Sequence, residues 1–485
     1  MAHPLSDRIA AVLDLAPEAP AVQYDGRWYT WADVGTMTRR IAAVTRPAGQ
    51  VGILLRNRPA HAAALLGVLL AGGCVVVINP SRGDDRTRAD IAAMALPVII
   101  GDPDDLVALV TATPSTTTVA ITDLTAPLQI TAAAEAGAPA AERPGVAVWM
   151  LTSGTTGPPK RVDLRYDMLA HSVLGPDAPT QPRPGVAIVN SPLVHIGGVY
   201  RILQCVAEAR PFVLLDRFDL ERWAHAVRTY QPKAVSLVPA ALRMVLHSAL
   251  TREDLAGIRA VTSGTAPLSA DDADAFTAKF GIPVLTSYAA TEFGGGVAGW
   301  TLRDHQQYWK DKRGSVGRAS LGAQLRVIGD DGVPLGPDQP GLLEVKPGQL
   351  GPDAGWMRTT DLARIDTDGF LWILGRADQA IIRGGFKVMP DDVRVALEAH
   401  PAVKGAAVVG RADDRLGQTP VAAVELRFGA CTDAEALVDF LSTRLARYEI
   451  PTAITIVDAI PRTPSGKADL GAVHDLIGAQ AKHAR

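Results

Sequence analysis

The stretch Leu151-Thr-Ser-Gly-Thr-Thr-Gly-Pro-Pro-Lys160 decides how the rest of this 485-residue chain is interpreted. It follows the apolar run Val146–Leu151, which is typical of a buried strand. Glycines allow a ligand to approach the backbone closely, and serine and threonine place hydroxyl groups beside exposed backbone N–H groups. Such a loop can surround an anion, and phosphate is the usual one. The alternative is an ordinary turn, because the same residue types dominate loops in general.

The loop differs from a Walker A motif, which requires a glycine directly before its lysine. Here Pro159 precedes Lys160. The stretch instead resembles the signature loop of the adenylate-forming superfamily, which includes acyl- and aryl-CoA ligases, peptide-synthetase adenylation domains and luciferases. The resemblance implies that the loop binds the β- and γ-phosphates of ATP. The implied nucleotide-binding residues are Thr152, Ser153, Gly154, Thr155, Thr156, Gly157 and Lys160.

Length, charge and cysteine usage narrow the class of protein. A chain of this length holds more than one domain, and its net charge of −3 with mixed signs argues against nucleic-acid binding. Cys74, Cys205 and Cys431 form no CxxC pair, which argues against a zinc site and a disulfide framework. Residues 1–8 lack the charged start and apolar core of a signal peptide. We therefore expect a cytoplasmic protein.

The uncharged segment Ala62–Ile78 has to be considered as a membrane span. It is at the short end of the roughly 17–25 residues that a span requires. Gly72-Gly73 also divides it into a helix-like half and a β-branched half. We therefore predict a buried helix followed by a buried strand, and no transmembrane segment.

Strand-like and helix-like segments alternate along the N-terminal part of the chain, which predicts an α/β fold. Residues 102–145 give weak signals, for which we predict connecting structure without chemistry. From about Gly314, glycines, prolines and short alternating strands predict a β-rich subdomain. The C-terminal residues predict a small α+β domain, with an amphipathic helix over Ala434–Tyr448.

The predicted fold class is therefore α/β, with a large N-terminal domain made of α/β subdomains plus a β-rich subdomain. A small mobile α+β domain follows it. We place the boundary inside Leu374–Asp378. Residues 1–377 are the predicted N-terminal adenylation domain, which binds ATP and a carboxylate, and residues 378–485 are the predicted C-terminal domain.

A nucleotide-binding loop needs partners elsewhere in the chain, and Tyr288-Ala-Ala-Thr-Glu292 is the first of them. Mg²⁺ binds proteins through one or two carboxylates plus phosphate oxygens. By resemblance, Tyr288 packs on the adenine, Thr291 contacts the α-phosphate and Glu292 binds Mg²⁺. The resemblance also gives Gly264, Thr265 and Ala266 the role of reading the base through backbone groups.

Two further motifs supply opposite charges. A carboxylate can accept hydrogen bonds from both ribose hydroxyls, and by resemblance this is Asp361, assisted by Arg376. The family usually has glycine before that aspartate, whereas this chain has Thr360. The loop Pro461–Lys467 resembles the family's C-terminal catalytic loop. Attack of a carboxylate on a triphosphate is repelled unless a cation lies between them, so Lys467 is the implied main catalytic group.

The second reaction depends on the branch of the family. Asn190–Gly198 resembles the "PLxHxxG" of acyl- and aryl-CoA ligases, with His195 near the carboxylate and no acid to hold an amino group. A histidine of the core is the alternative interpretation. The resemblance implies transfer to coenzyme A, a hinge at Asp378, and CoA binding through residues of the following strand. Those residues are Arg383, Gly384 and Gly385.

The acid itself is the least defined part of the prediction. Candidate pocket residues are His195, Val238, Ser287, Gly294 and Gly295. The run Gly294-Gly-Gly296 is expected to leave space for a medium or bulky apolar acid, fatty or aromatic. Transfer to a carrier-protein thiol and a non-catalytic nucleotide- or acyl-binding protein are the alternatives. A carrier protein and a second copy of the chain stay open as macromolecular partners.

Overall fold

The computed structural model describes residues 2–46, 49–111, 113–133, 143–152, 160–175, 179–320, 322–383, 386–413, 415–463 and 466–483. The predicted loop residues Ser153, Gly154, Thr155, Thr156 and Gly157 lie outside the described residues, as do Gly384 and Gly385. Among the helices that are described, none is both long and apolar enough to cross a bilayer.

The first part of the chain alternates helices and strands, as the sequence predicts. In chain order they are α1 (Pro4–Leu15), β1 (Pro20–Tyr24), β2 (Arg27–Thr30), α2 (Trp31–Thr45), β3 (Gln50–Leu54), α3 (Pro59–Leu70), β4 (Cys74–Ile78), α4 (Asp84–Met94), β5 (Val98–Gly101), α5 (Pro103–Leu109), β6 (Thr117–Ala120) and β7 (Gln129–Ala132). Thr30 caps α2, because Thr30 Oγ1 accepts from the Asp33 backbone N–H at 3.1 Å while the Asp33 carboxylate accepts from the Thr30 N–H at 2.8 Å.

The middle part continues the alternation and carries most of the candidate site. It consists of β8 (Val146–Thr152), β9 (Lys160–Arg165), α6 (Tyr166–Val173), β10 (Ala187–Val189), α7 (Ile196–Ala207), β11 (Phe212–Leu214), α8 (Leu220–Tyr230), β12 (Ala234–Ser236), α9 (Pro239–Leu246), β13 (Ala260–Ser263), α10 (Ala270–Phe280), β14 (Val284–Ala290), β15 (Gly295–Gly299) and α11 (Leu302–Tyr308).

The remaining elements form the β-rich part and the C-terminal part. The first group is β16 (Arg318–Ala319), β17 (Gln324–Ile328), β18 (Gly341–Lys346), β19 (Met357–Ile365) and β20 (Leu371–Arg376), with 3₁₀ turns at Gly348–Leu350 and Ala377–Gln379. The second group is β21 (Ile381–Arg383), β22 (Phe386–Val388), α12 (Pro390–Glu398), β23 (Val403–Asp413), β24 (Gly417–Leu426), α13 (Ala434–Ser442), β25 (Ala453–Val457) and α14 (Leu470–His483).

The strands assemble into five sheets within the described residues, and two of them present loops to the candidate site. A seven-stranded sheet has the order β7-β6-β5-β3-β4-β8-β9, and its inner strands are parallel. A five-stranded sheet has the order β12-β13-β14-β15-β16, with its first three strands parallel. In open parallel sheets, ligands bind beyond the carboxyl ends of the strands. The candidate loops follow such ends at β8, β13 and β14.

The segment first considered as a membrane span forms a buried helix and a buried strand of the fold. Helix α3 is buried on all sides, and β4 lies between β3 and β8 in the seven-stranded sheet. A Cβ at Gly67 would lie 2.6 Å from Ile41 Cβ, so the glycine allows α2 and α3 to pack closely. The prediction of a buried helix followed by a buried strand is confirmed.

Two predictions about elements are wrong. Residues 102–145 contain α5, β6 and β7, because short runs such as Val119–Ala120 are buried by sheet pairing even though the sequence around them is mostly threonine and alanine. The helix predicted over Ala434–Tyr448 ends at Ser442. Beyond it, a turn forms in which the Glu449 carboxylate accepts from the Ala446 N–H at 2.8 Å.

Asn57 follows β3 of the seven-stranded sheet. Its buried side chain joins this sheet to the segment that carries His195. Its amide donates to the Ser191 carbonyl at 2.9 Å and to the Leu215 carbonyl at 3.0 Å. Its carbonyl oxygen accepts from the Leu193 N–H at 2.7 Å. Asn57 thus supplies hydrogen-bond partners to the backbone of an irregular segment, whose polar groups would otherwise be buried without them.

We predict that Asn57→Leu lowers the free energy of unfolding by roughly 3 kcal/mol, because each buried polar group left without a partner costs about 1–3 kcal/mol. Chemical denaturation measures the change, with Gln181→Leu at an exposed position as the matched control. Equal stability of the two variants would contradict the structural role of Asn57.

Candidate active site

Lys467 lies where the C-terminal part of the chain meets the β-rich part. A tight turn presents it, in which the Thr463 N–H donates to the Lys467 carbonyl and the Gly466 N–H donates to the Thr463 carbonyl, each at 2.8 Å. A Cβ at Gly466 would lie 3.9 Å from Val238 Cγ2, so the turn also reaches the predicted pocket residue at the start of α9.

The charges around Lys467 come from three separate motifs. Burial lowers the pKa of Lys467, the nearby Arg376 guanidinium lowers it further, and the carboxylates of Asp361 and Glu292 act in the opposite direction. The structure thus brings together the predicted catalytic lysine, the predicted ribose carboxylate and its arginine, and the predicted Mg²⁺ ligand.

Asp361 and Arg376 are neighbours across the antiparallel pair β19–β20. Arg376 Nε lies 3.9 Å from Asp361 Oδ1, and the Tyr288 hydroxyl donates to the other carboxylate oxygen. Burial raises the pKa of Asp361, which the hydrogen bond from Tyr288 and the charges of Arg376 and Lys467 oppose. The hydroxyl of Tyr288, predicted only as an adenine-packing ring, therefore also orients the carboxylate.

Glu292 and Thr291 follow the end of β14 in a turn. The Gly294 N–H donates to the Thr291 carbonyl at 3.0 Å, which closes this turn. The Glu292 side chain is exposed. Within the described residues, no group of three or more His, Cys, Asp or Glu side chains could hold a metal ion. A single accessible carboxylate fits Mg²⁺, which takes its remaining ligands from phosphate oxygens and water.

The predicted adenine loop is in contact with the next strand. A Cβ at Gly264 would lie 2.7 Å from Ser287 Oγ and 3.2 Å from the Ser287 carbonyl oxygen, so a larger residue here would require Ser287 to move. Thr265 has φ +71°, a left-handed conformation that residues other than glycine rarely adopt. Residues held in this region cluster at ligand sites. Thr265 is exposed, and Gly264 and Ala266 on either side of it are half-buried.

The structure describes the predicted phosphate loop at its two ends, Thr152 and Lys160. Thr152 and Lys160 are paired residues of the antiparallel strands β8 and β9. Both ends of the loop thus lie at the same edge of the seven-stranded sheet. The predicted phosphate contacts of the residues between them lie outside the described part of the chain.

His195 directly precedes α7, and the segment before it is held by Asn57. The space predicted beside the glycine run is taken up at Gly294, so this expectation is wrong there, whereas a Cβ at Gly295 would be in ordinary van der Waals contact. A Cβ at Gly294 would lie 2.4 Å from Met168 Cε, and a Cβ at Gly295 would lie 3.6 Å from the Tyr200 ring. Only at Gly296 would a Cβ meet nothing within 4 Å.

The predicted hinge and CoA-binding residues have contacts of their own. Asp378 lies in the 3₁₀ turn Ala377–Gln379 and accepts two hydrogen bonds from Arg376, at 2.9 and 2.6 Å. Arg383 donates to the carbonyls of Tyr448 and Ile450 at 2.8 and 3.0 Å, within the C-terminal part. Its predicted contact with CoA would therefore require this guanidinium to exchange partners.

Sequence patterns missed the contacts that hold the C-terminal part in place. Arg243 of α9 pairs with Glu398 of α12 at 3.0 Å and with Asp272 at 2.7 Å. Arg427 donates to His247 at 2.7 Å. These pairs join residues far apart in sequence, and nothing in their local patterns distinguishes them from ordinary surface charges.

The α/β architecture and the grouping of Lys467 with Arg376, Asp361 and Glu292 fit a nucleotide-dependent ligase. The chain belongs to the AMP-binding enzyme family, whose sequence model matches residues 10–351. The model of the AMP-binding enzyme C-terminal domain matches residues 393–467. The protein is accordingly an AMP-forming acid–thiol ligase, and the large N-terminal and smaller C-terminal domains are those of adenylate-forming enzymes.

Known relatives cover nearly the whole chain. 4-Coumarate–CoA ligase 3 of Oryza sativa subsp. japonica is 30% identical over 477 residues, covering 91% of this chain and 86% of the relative. Indoleacetate–CoA ligase of Aromatoleum aromaticum is 27% identical over 511 residues, covering 98% of each. The structure of ATP-bound MatB from Rhodopseudomonas palustris is similar with a TM-score of 0.81 and 26% identity, covering 98% of this chain and 99% of that one.

The lowered pKa of Lys467 predicts an alkaline limit to acyl-AMP formation. The predicted catalytic role requires a cation, so we expect the rate to fall as the pH rises through the pKa of Lys467, which lies below the ordinary 10.5. In Lys467→Arg the guanidinium stays charged, so the alkaline limb should move to higher pH. Acid-dependent ATP–pyrophosphate exchange measured against pH checks this. An identical limb in both proteins would assign it to another group.

Proposed function

We propose that this enzyme activates a bulky apolar carboxylic acid as acyl-AMP and transfers the acyl group to the thiol of CoA. The observation that carries the proposal is the position of Lys467 beside Arg376, Asp361 and Glu292. An aromatic acid is favoured over a fatty acid, because two of the relatives are named for 4-coumarate and indoleacetate, both of which carry rings.

In the first step, a carboxylate oxygen of the acid attacks the α-phosphorus of ATP. The bond from that phosphorus to the bridging oxygen breaks, and pyrophosphate leaves with the electron pair. Lys467 lies between the two anions and stabilises the charge that develops, while Asp361 and Arg376 hold the ribose. Mg²⁺, held by Glu292, would neutralise phosphate charge. Thr152 and Lys160 bind the departing phosphates.

In the second step, the sulfur of CoA attacks the acyl carbon, the bond to AMP breaks, and the thiol proton passes to solvent. Lys467 occupies the space in front of the acyl-AMP, so the C-terminal domain has to turn away before the thiol can enter. We place the hinge at Asp378, between domains 1–377 and 378–485. This rotation of the C-terminal domain breaks the Arg243–Glu398 and Arg427–His247 contacts, which belong to the arrangement that forms acyl-AMP.

A panel of carboxylic acids, assayed for AMP release with and without CoA, tests the proposed function. We expect AMP release that requires both a ring-bearing acid and CoA. AMP release with a holo-carrier protein and not with CoA would instead identify a carrier-loading enzyme. Absence of acid-dependent ATP–pyrophosphate exchange with every acid would indicate a nucleotide-binding protein without this activity.

We predict that Lys467→Ala slows acyl-AMP formation by about 10²–10³-fold, the usual cost of removing one placed transition-state donor. Conversion of supplied acyl-AMP and CoA should be unaffected, because the lysine leaves the site in that step. Lys404→Ala is the matched control, since Lys404 pairs with Glu425 on the neighbouring strand of the C-terminal domain. Equal losses in both half-reactions would refute the role given to Lys467.

A second prediction concerns the hinge. Asp378→Pro restricts the backbone at the proposed pivot, so it should spare ATP–pyrophosphate exchange and slow thioester formation. Asp378→Ala removes the same hydrogen bonds to Arg376 without restricting the backbone, and it serves as the control. If the proline and alanine variants behave alike in the second step, the pivot lies elsewhere.

A further inference from the structure

The side chain of Asn57 connects the carboxyl ends of three strands that belong to two different sheets. Asn57 follows β3 of the seven-stranded sheet, whereas Ser191 follows β10 and Leu215 follows β11 of a four-stranded sheet. Strands β10 and β11 are parallel, and the Leu215 N–H donates to the Val189 carbonyl at 2.9 Å. The Asn57 amide donates to the Ser191 and Leu215 carbonyls and so fastens this parallel pair to the end of β3.

The segment between β10 and α7, which carries His195, is held as a tight turn. The His195 N–H donates to the Pro192 carbonyl and the Gly198 N–H donates to the His195 carbonyl, each at 3.0 Å. A Cβ at Gly198 would lie 2.1 Å from the Pro192 carbonyl oxygen, so this packing requires glycine. Within the turn, the Leu193 N–H donates to Asn57 Oδ1 at 2.7 Å. Asn57 therefore ties the turn itself to the seven-stranded sheet.

The backbone on both sides of Asn57 is anchored by ion pairs to the segment after β5. Arg56 donates two hydrogen bonds of 2.6 Å each to the Asp105 carboxylate. Arg58 donates to the Asp102 carboxylate at 2.7 Å. Because β5 pairs with β3 in the same sheet, these contacts hold Asn57 to the frame of that sheet.

The buried side chain of His61 completes this anchor. Its Nδ1 accepts from the Arg56 backbone N–H at 3.2 Å, so Nε2 is the protonated nitrogen and donates to Asp102 at 3.1 Å. His61 is fully buried and Asp102 is nearly so. A buried polar network with its partners in place is rigid, and Asn57 projects from it.

The two reactants of the first half-reaction depend on different sheets. The ends of the predicted phosphate loop, Thr152 and Lys160, lie on β8 and β9 of the seven-stranded sheet. His195, which is predicted to lie near the carboxylate, follows β10 of the four-stranded sheet. The distance between the attacking oxygen and the α-phosphorus therefore depends on how these two sheets are fixed to each other.

We propose that Asn57 is a positioning residue for acyl-AMP formation, which sets the place of His195 relative to the phosphate-binding edge of the seven-stranded sheet. This inference rests on the proposed function. Asn57 acts through the backbone of Ser191 and Leu193. A misplacement of reacting groups by about 1 Å costs about 10²-fold in rate, so its loss is expected in kcat.

The first test compares Asn57→Ala with Ser6→Ala in acid-dependent ATP–pyrophosphate exchange. Ser6 is also buried in the N-terminal part, and its hydroxyl donates to the Leu69 carbonyl at 2.6 Å, so Ser6→Ala is the matched loss of a buried hydrogen bond. Both are assayed well below their melting temperatures. Asn57→Ala should lower kcat by about 10²-fold with the KM for ATP unchanged, and Ser6→Ala should retain the wild-type kcat. An unchanged kcat in folded Asn57→Ala would overturn the proposal.

A double-mutant cycle separates positioning from general destabilisation. If Asn57 acts through His195, the variant that carries both Asn57→Ala and His195→Ala should have the same kcat as His195→Ala alone. Two independent effects would multiply, so a further loss of about 10²-fold in the double variant would contradict the positioning role.

A spectroscopic measurement reports the same effect without turnover. In protein labelled with ¹³C-histidine, the ring resonance of His195 is identified by its absence from His195→Ala. It should shift in Asn57→Ala and stay in place in Ser6→Ala, and an unshifted resonance in Asn57→Ala would refute the link. If wild type activates no acid, the proposed function fails, and this resonance still decides whether Asn57 positions His195.

Discussion

The placement of the Lys467 ammonium between fixed charges is the interaction on which the candidate site depends. Removing an ammonium from water is unfavourable, and the neighbouring Arg376 adds repulsion. Asp361 and Glu292 oppose both effects only in part, so the pKa of Lys467 stays below its ordinary value. Because these three neighbours precede the proposed boundary and Lys467 follows it, the charge arrangement exists only while the C-terminal domain packs in this orientation.

In the proposed function, two half-reactions use two arrangements of the C-terminal domain, and the contacts around Asp361 belong to the first of them. Tyr288 and Arg376 hold Asp361, and Arg376 is in turn paired with Asp378, so the ribose carboxylate and the proposed hinge are directly linked. Farther out, Arg243 and Glu398 join the domains through a partly buried ion pair. Breaking such a pair costs more than breaking one at the surface, so it stabilises the arrangement of the domains described above.

Much of the site could be predicted from the sequence because its motifs are local. Each of its motifs combines a short apolar run with a few polar residues, as in strand Val146–Thr152, the turn after β14 and the β19–β20 pair. Such a pattern can be recognised from neighbouring residues in the sequence. Three-dimensional proximity is different. That Tyr288 donates to Asp361, or that Asn57 holds the segment before His195, depends on contacts between residues 73 and 136 positions apart.

The errors have physical causes of the same kind. The glycine run predicts space because glycine lacks a side chain, yet Met168 of α6 fills it at Gly294. The strands within residues 102–145 are stabilised by their neighbours in the sheet more than by their own composition. The helix after Ala434 stops at Ser442, although its apolar spacing continues.

The proposed mechanism requires Lys467 to be a desolvated cation in the resting enzyme. Selective ¹³C-methylation of lysines and NMR titration of wild type and Lys467→Arg would measure this directly. The resonance missing from the variant should titrate below the ordinary value of 10.5. Titration at or above that value would mean that Lys467 is solvated or stabilised as a cation, which contradicts the proposed arrangement.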